Sequence, residues 1–177
     1  DAVTAMERLI QLYGDSGGDF LFDAHYLIGK AKEKEREYLD AANNFDSALT
    51  NSSWHENAND ARMRRGHAWF EVAESNKDAE VYSRARSSFE EVRGDTEAPL
   101  EMRAESAFMM GECMKAQRDY AGAAFLFLET TLNFPSALKW APKSFEQAIR
   151  CYEQAGQAEQ VSMIEKQYTD WQRKFLK

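Results

Sequence analysis

The chain has 177 residues, 44% of them hydrophobic and 29% charged, with a formal net charge of −8. That length is ample for a buried core, and the acidic balance argues against a nucleic-acid backbone or an anionic membrane as main partner. No apolar run approaches the roughly 18 residues that cross a bilayer, and 3 prolines with 9 glycines favour long helices. In chain order, helices are predicted at about 2–13, 20–36, 38–50, 56–76, 79–93, 98–117, 119–133, 138–155 and 158–175. The first, "DAVTAMERLIQLY", reads as the second helix of a truncated hairpin, with Ala2, Met6 and Leu9 on one face. It opens at Asp1 with no initiator methionine or signal peptide. The expectation is a piece of a longer protein, which leaves the compartment open. "GDSGGD" at 14–19 reads as a linker, and "KAKEKERE" at 30–37 as a solvated helix end. Pro99 and Pro142 fit first helical turns.

A pattern recurs along these helices. Tyr38, Ala41, Phe45 and Ala48 form a stripe, repeated as Tyr82, Ala85, Phe89, Val92 and as Tyr120, Ala123, Phe127, Thr130. The three-and-four spacing puts each series on one helix face. Upstream of each stripe a helix carries a glycine: Gly29, Gly66 and Gly111. Glycine inside a helix costs up to about 1 kcal/mol relative to alanine. Close approach of a neighbouring helix is the expected reason, with Ala123 facing Gly111. The second unit is longer, around "AESNKDAEV". A fourth has Phe145, Ala148, Tyr152 and Gly156, but Ile149 replaces the glycine and Val161, Glu165 and Tyr168 replace the stripe. A hairpin with looser packing is expected there. No such hairpin buries its apolar face alone, so neighbours must stack.

The pairs Ile28-Gly29, Arg65-Gly66 and Met110-Gly111, the Tyr-Ala-Phe-small series and Pro135 together resemble the tetratricopeptide repeat (TPR) family. The resemblance implies an all-α fold, an α-solenoid of stacked antiparallel hairpins forming a right-handed superhelix. It divides one array into a truncated repeat at 1–13 and repeats at 20–53, 56–97, 98–137 and 138–177. The glycine positions are 37 and 45 residues apart, and Ile149 follows 38 after Gly111, against about 34 in the plain repeat. With the prolines of "NFPSALKWAPKSF", this is similar to a longer variant seen in outer-membrane assembly lipoproteins and a Tol-Pal-associated periplasmic protein. That likeness implies a bacterial cell envelope or periplasm; the cytoplasm is the alternative.

Residues with catalytic or metal-binding chemistry are sparse. His25, His55 and His67 have no His or Cys partner at metal-ligand spacing; His25 falls on the packing side of its helix. "GDSGGD" lacks the lysine of a phosphate loop, and Gly-x-Ser-x-Gly does not occur. The 30 acidic residues are no sign of acid–base catalysis without a shared pocket. Cys113 and Cys151 read as buried, reduced thiols, with a disulfide open only to an exported chain. No enzyme, metal or cofactor is expected.

In the family resembled, first helices line a concave groove. Offsets from the glycines place Tyr26, Lys30 and Glu33 there, then Met63, His67 and Phe70, then Phe108, Glu112 and Lys115, then Glu146, Arg150 and Glu153. The contact candidates are Tyr26, Lys30, Met63, His67, Phe70, Phe108, Glu112 and Arg150. Phe70 is weighted toward core, and Tyr26 and Phe108 are balanced between core and contact. The acidic pair Glu105 and Glu112 argues against a clamp for carboxylate tails. The expectation is a non-catalytic scaffold binding a protein or peptide. The alternative is a structural spacer or self-associating segment with no groove ligand.

Overall fold

The computed structural model describes residues 2–14 and 18–176, the Ala2 side chain excepted. Residues 15–17 of the expected linker, and Asp1, lie outside the described residues. The helices are α1 (Ala2–Tyr13), α2 (Asp19–Glu35), α3 (Tyr38–Asn51), α4 (Ala58–Asn76), α5 (Ala79–Gly94), α6 (Leu100–Ala116), α7 (Tyr120–Asn133), α8 (Ala141–Gln154) and α9 (Ala158–Phe175). Among the described residues there is no strand. The chain forms two compact units, Asp1–Ser88 and Phe89–Lys177, divided within α5.

Hairpin turns repeat one backbone solution. Arg36, Lys77, Arg118 and Gly156 each adopt the left-handed conformation, at φ 62°, 53°, 64° and 71°. This reverses the chain after a helix and satisfies its last carbonyls. The amide after the left-handed residue reaches back: Glu37 N–H donates to Lys32 O at 2.9 Å, Asp119 N–H to Met114 O at 3.1 Å, and Gln157 N–H to Tyr152 O at 2.9 Å. Two of the following helices begin on aspartates. Asp78 Oδ1 accepts from Glu80 N–H at 2.8 Å, and Asp119 Oδ1 from Gly122 N–H at 2.9 Å, satisfying amides that lack helical partners.

In the first unit α2 packs on α1 and α3, and α3 on α4. Its core holds Phe22, Phe45, Ala41, Ala61 and Trp69. Phe70 meets Tyr82 edge-on at 5.9 Å, joining α4 to α5, and the Tyr82 hydroxyl donates to Glu74. Arg65 ties α4 to both second helices, through Asp46 on α3 and Ser88 on α5, each at 2.9 Å. In the second unit α7 packs against α6 and α8, and α8 against α9. Phe127, Phe108 and Trp140 centre one cluster, and Phe145, Ile164 and Trp171 another.

At Gly29 and Gly111 the neighbouring helix comes close, as expected, but through a different residue. A Cβ at Gly111 would stand 2.6 Å from Phe127 Cε1, and one at Gly29 would stand 2.8 Å from Phe45 Cε1. A ring of the second helix, rather than Ala123, occupies the space. The ring sits against bare backbone, where a methyl group would clash with it. The fourth hairpin also packs more closely than Ile149 implied. Tyr168 stacks on Phe145 at 5.0 Å, and Trp171 Nε1 donates to Pro135 O at 2.7 Å. Its buried face runs through Ile164 and Trp171, while Glu165 is exposed.

Candidate interaction face

First helices of neighbouring hairpins meet side by side in each unit. On α2 and α4, opposite charges interlock. Asp60 and Arg64 lie one helical turn apart, the favoured order for an opposite-charge pair. Arg64 Nε donates to Asp60 Oδ2 at 2.6 Å and Nη1 to Glu33 Oε2 at 2.6 Å, bridging α4 to α2. The same Asp60 oxygen accepts the Tyr26 hydroxyl at 2.5 Å. Burial, then the bond to Asp60, pushes the Tyr26 phenol up to about 12. For Arg64, burial pulls the pKa down, but the bonds to Asp60 and Glu33 outweigh it and raise it. The guanidinium is therefore a fixed cation. Lys30 Nζ lies 5.0 Å from the Tyr26 ring centre, within cation–π range.

The second unit repeats the geometry with different chemistry. Glu33 and Lys115 occupy the same offset from Gly29 and Gly111, and Arg64 and Gln147 the same offset from Gly66 and Ile149. Lys115 Nζ donates to Gln147 Oε1 at 3.0 Å, joining α6 to α8, and pairs with Glu112 at 2.6 Å. Phe108, the counterpart of Tyr26, has no hydroxyl. It packs on Phe127 and Trp140, each at 5.2 Å. Lys139 and Lys143 stand 4.6 and 4.7 Å from the Trp140 ring.

The candidates thus divide. Tyr26, Met63 and Phe108 are buried and do not offer an open surface; Tyr26 is covered by Phe22, Phe45 and Asp60, and Phe108 by Phe127 and Trp140. Lys30, His67, Phe70 and Glu112 are half-buried, and Arg150 is exposed. Lys30 joins Tyr26, and Glu112 joins Lys115; Phe70 turns toward Tyr82. Sequence offsets missed Asp60, Arg64 and Gln147, although the Asp60–Arg64 spacing was a readable signal. His25 Nδ1 lies 3.2 Å from Asn44 Oδ1. Both cysteines are buried and free, and burial raises the Cys151 thiol. Among the described residues, no cluster of three or more His, Cys, Asp or Glu could hold a metal. No described helix is long and apolar enough to cross a membrane.

No family model and no curated protein matches the chain. Among solved structures, MamA, a TPR-type helical repeat protein, is similar with a TM-score of 0.64 at 13% identity, over 97% of this chain and 87% of MamA. The fold is TPR-like. At that identity the likeness concerns fold alone.

Proposed function

We propose that the chain is a non-catalytic scaffold for protein–protein interaction. Its first-helix faces take the partner: Lys30, His67 and Phe70 in the first unit, and Glu112 and Arg150 in the second. The carrying observation is the pre-ordered charge on the α2–α4 face, where Arg64 is held by Asp60 and Glu33 at 2.6 Å. Side chains fixed before binding lose little freedom on contact. Fold alone does not imply function, so the test is direct. Affinity capture from the source cell would compare wild type with Lys30→Glu and Arg150→Glu. A shared partner should fall about fivefold or more in yield, as for an interface side chain of moderate weight. Identical partners at identical yield contradict the reading.

Repeat boundaries at 20–53, 56–97, 98–137 and 138–177 belong to the same proposal, supported by one left-handed turn in each. The envelope-type variant rests on the long spacing and on the prolines of "NFPSALKWAPKSF". A second reading, self-association, is favoured by Phe125 and Leu132 on α7, which are 65% and 77% exposed. Sedimentation that shows a concentration-independent monomer would sink it.

A further inference from the structure

The turn between α3 and α4 carries an unusual side chain. Trp54 is 95% exposed, whereas Trp69, Trp140 and Trp171 are at most 7% exposed. An indole offers on the order of 150–250 Å² of surface, and tryptophan is among the residues enriched as interface anchors. Its isolation is not the product of a loose loop. Ser52 N–H donates to Ala48 O at 3.1 Å and Ser52 Oγ to Asp19 at 2.7 Å. Ser53 O accepts from Arg62 Nη2 at 2.8 Å. His55 stacks on Phe22 at 4.0 Å and 19°. Asn57 N–H donates to His55 Nδ1 at 3.2 Å, so the neutral ring carries its proton on Nε2, which lies 3.5 Å from Asp23 Oδ1. Both neighbours of Trp54 are pinned, and its backbone is set before any partner arrives.

The surroundings define the partner. Asp19 holds Ser52, Asp23 faces His55, and Glu56 follows two residues after Trp54; all three carboxylates are exposed. The cation at this turn, Arg62, bonds the Ser53 carbonyl and Asn59 Oδ1. An exposed indole on a turn whose neighbouring residues are held by or followed by carboxylates fits a cation that stacks on the ring while nearby acidic charge offsets its own. We propose that Trp54, with Asp19, Asp23 and Glu56, is a docking point for a basic peptide segment of a partner protein, one arginine or lysine lying over the indole. Asp19 and Asp23 belong to α2, so this surface adjoins the N-terminal end of the first-helix face; it rests on the scaffold reading only in taking a protein segment as partner.

The other tryptophans are buried and shielded from a quencher in solution, so the acrylamide-accessible part of the fluorescence reports on this site. Titration with a hexa-arginine peptide should shift the emission and protect Trp54 from acrylamide, with the effect fading as salt rises. By calorimetry, Trp54→Ala should weaken the peptide about fivefold or more and Trp54→Phe should restore most of that, since the ring face makes the contact. The variant combining Asp23→Asn and Glu56→Gln should also weaken it, with circular dichroism unchanged. Peptide affinity equal in wild type and Trp54→Ala would overturn the proposal. So would equal binding of a hexaglutamate peptide, or an emission shift seen only with phosphatidylcholine vesicles. Lys30→Glu should leave hexa-arginine binding within about twofold, because a charge outside the site acts only through screened solvent. Failure at Trp54 therefore leaves the first-helix reading standing.

Discussion

Helices α2 and α4 meet through ions, whereas α6 meets α8 through an ammonium and an amide, and the turn before α8 through rings. In the first unit the buried Tyr26 phenol needs an acceptor, and Asp60 supplies it while also holding Arg64. In the second, Phe108 needs none and takes Trp140 instead, and Gln147 stands where Arg64 would. The register nonetheless is the same, because both units are built on one joint, a phenylalanine ring laid on glycine backbone. The joint sets how the first helices present their side chains. The chemistry carried on that frame is free to vary.

Removing the ring should break both units most severely. Phe127→Ala should cost about 3–5 kcal/mol by denaturant unfolding, as large core truncations do, and Phe45→Ala a similar amount. Filling the space under the ring comes next. Gly111→Ala should destabilise by about 1–3 kcal/mol through overpacking. Gly29→Ala should cost less, since its Cβ would stand 2.8 Å from the ring rather than 2.6 Å.

Tyr26→Phe converts the first seam toward the second. It should cost about 1 kcal/mol, the net worth of one hydrogen bond, more if Asp60 is left poorly solvated. A pH series sharpens this. The folded phenol titrates at about 12, and a free tyrosine at about 10. The bond's contribution is complete below about pH 10 and is lost as pH climbs toward about 12, where the unfolded chain ionises first. The stability gap between wild type and Tyr26→Phe should therefore narrow across that window. A gap that widens would contradict the Tyr26–Asp60 assignment.

The hairpin turns supply the smallest effect. Three use Arg or Lys at positive φ, and the fourth uses Gly156. Arg118→Gly should stabilise by about 0.5 kcal/mol, the relief of a left-handed side chain less the entropy glycine gives the unfolded state. A loss of stability would mean that the Arg118 side chain matters beyond its backbone.

Much of this frame was legible in the sequence. The helices fall close to their expected bounds because their ends coincide with polar turns and prolines. The start of α8 moved from 138 to Ala141 because Phe134, Ala137 and Trp140 bury themselves in a turn, where no helical period shows. The glycine motif was readable, but its partner was not. Spacing along one helix gives a face; it does not say which residue of a neighbour fills the space. For the same reason spacing left Phe108 balanced between core and contact, and Trp140 packed against it decides for the core. Trp54, in "NSSW", leaves no mark in the sequence, since exposure at a turn has no helical period.

Photo-cross-linking in the source cell tests the central claim most directly. A photoreactive residue would be placed at position 30 or 150, on the first-helix faces, and at position 125 or 132, on α7. The account predicts adducts with a different protein from 30 and 150. Adducts confined to 125 and 132, at twice the mass of the chain's own protein, would contradict it and make self-association the function.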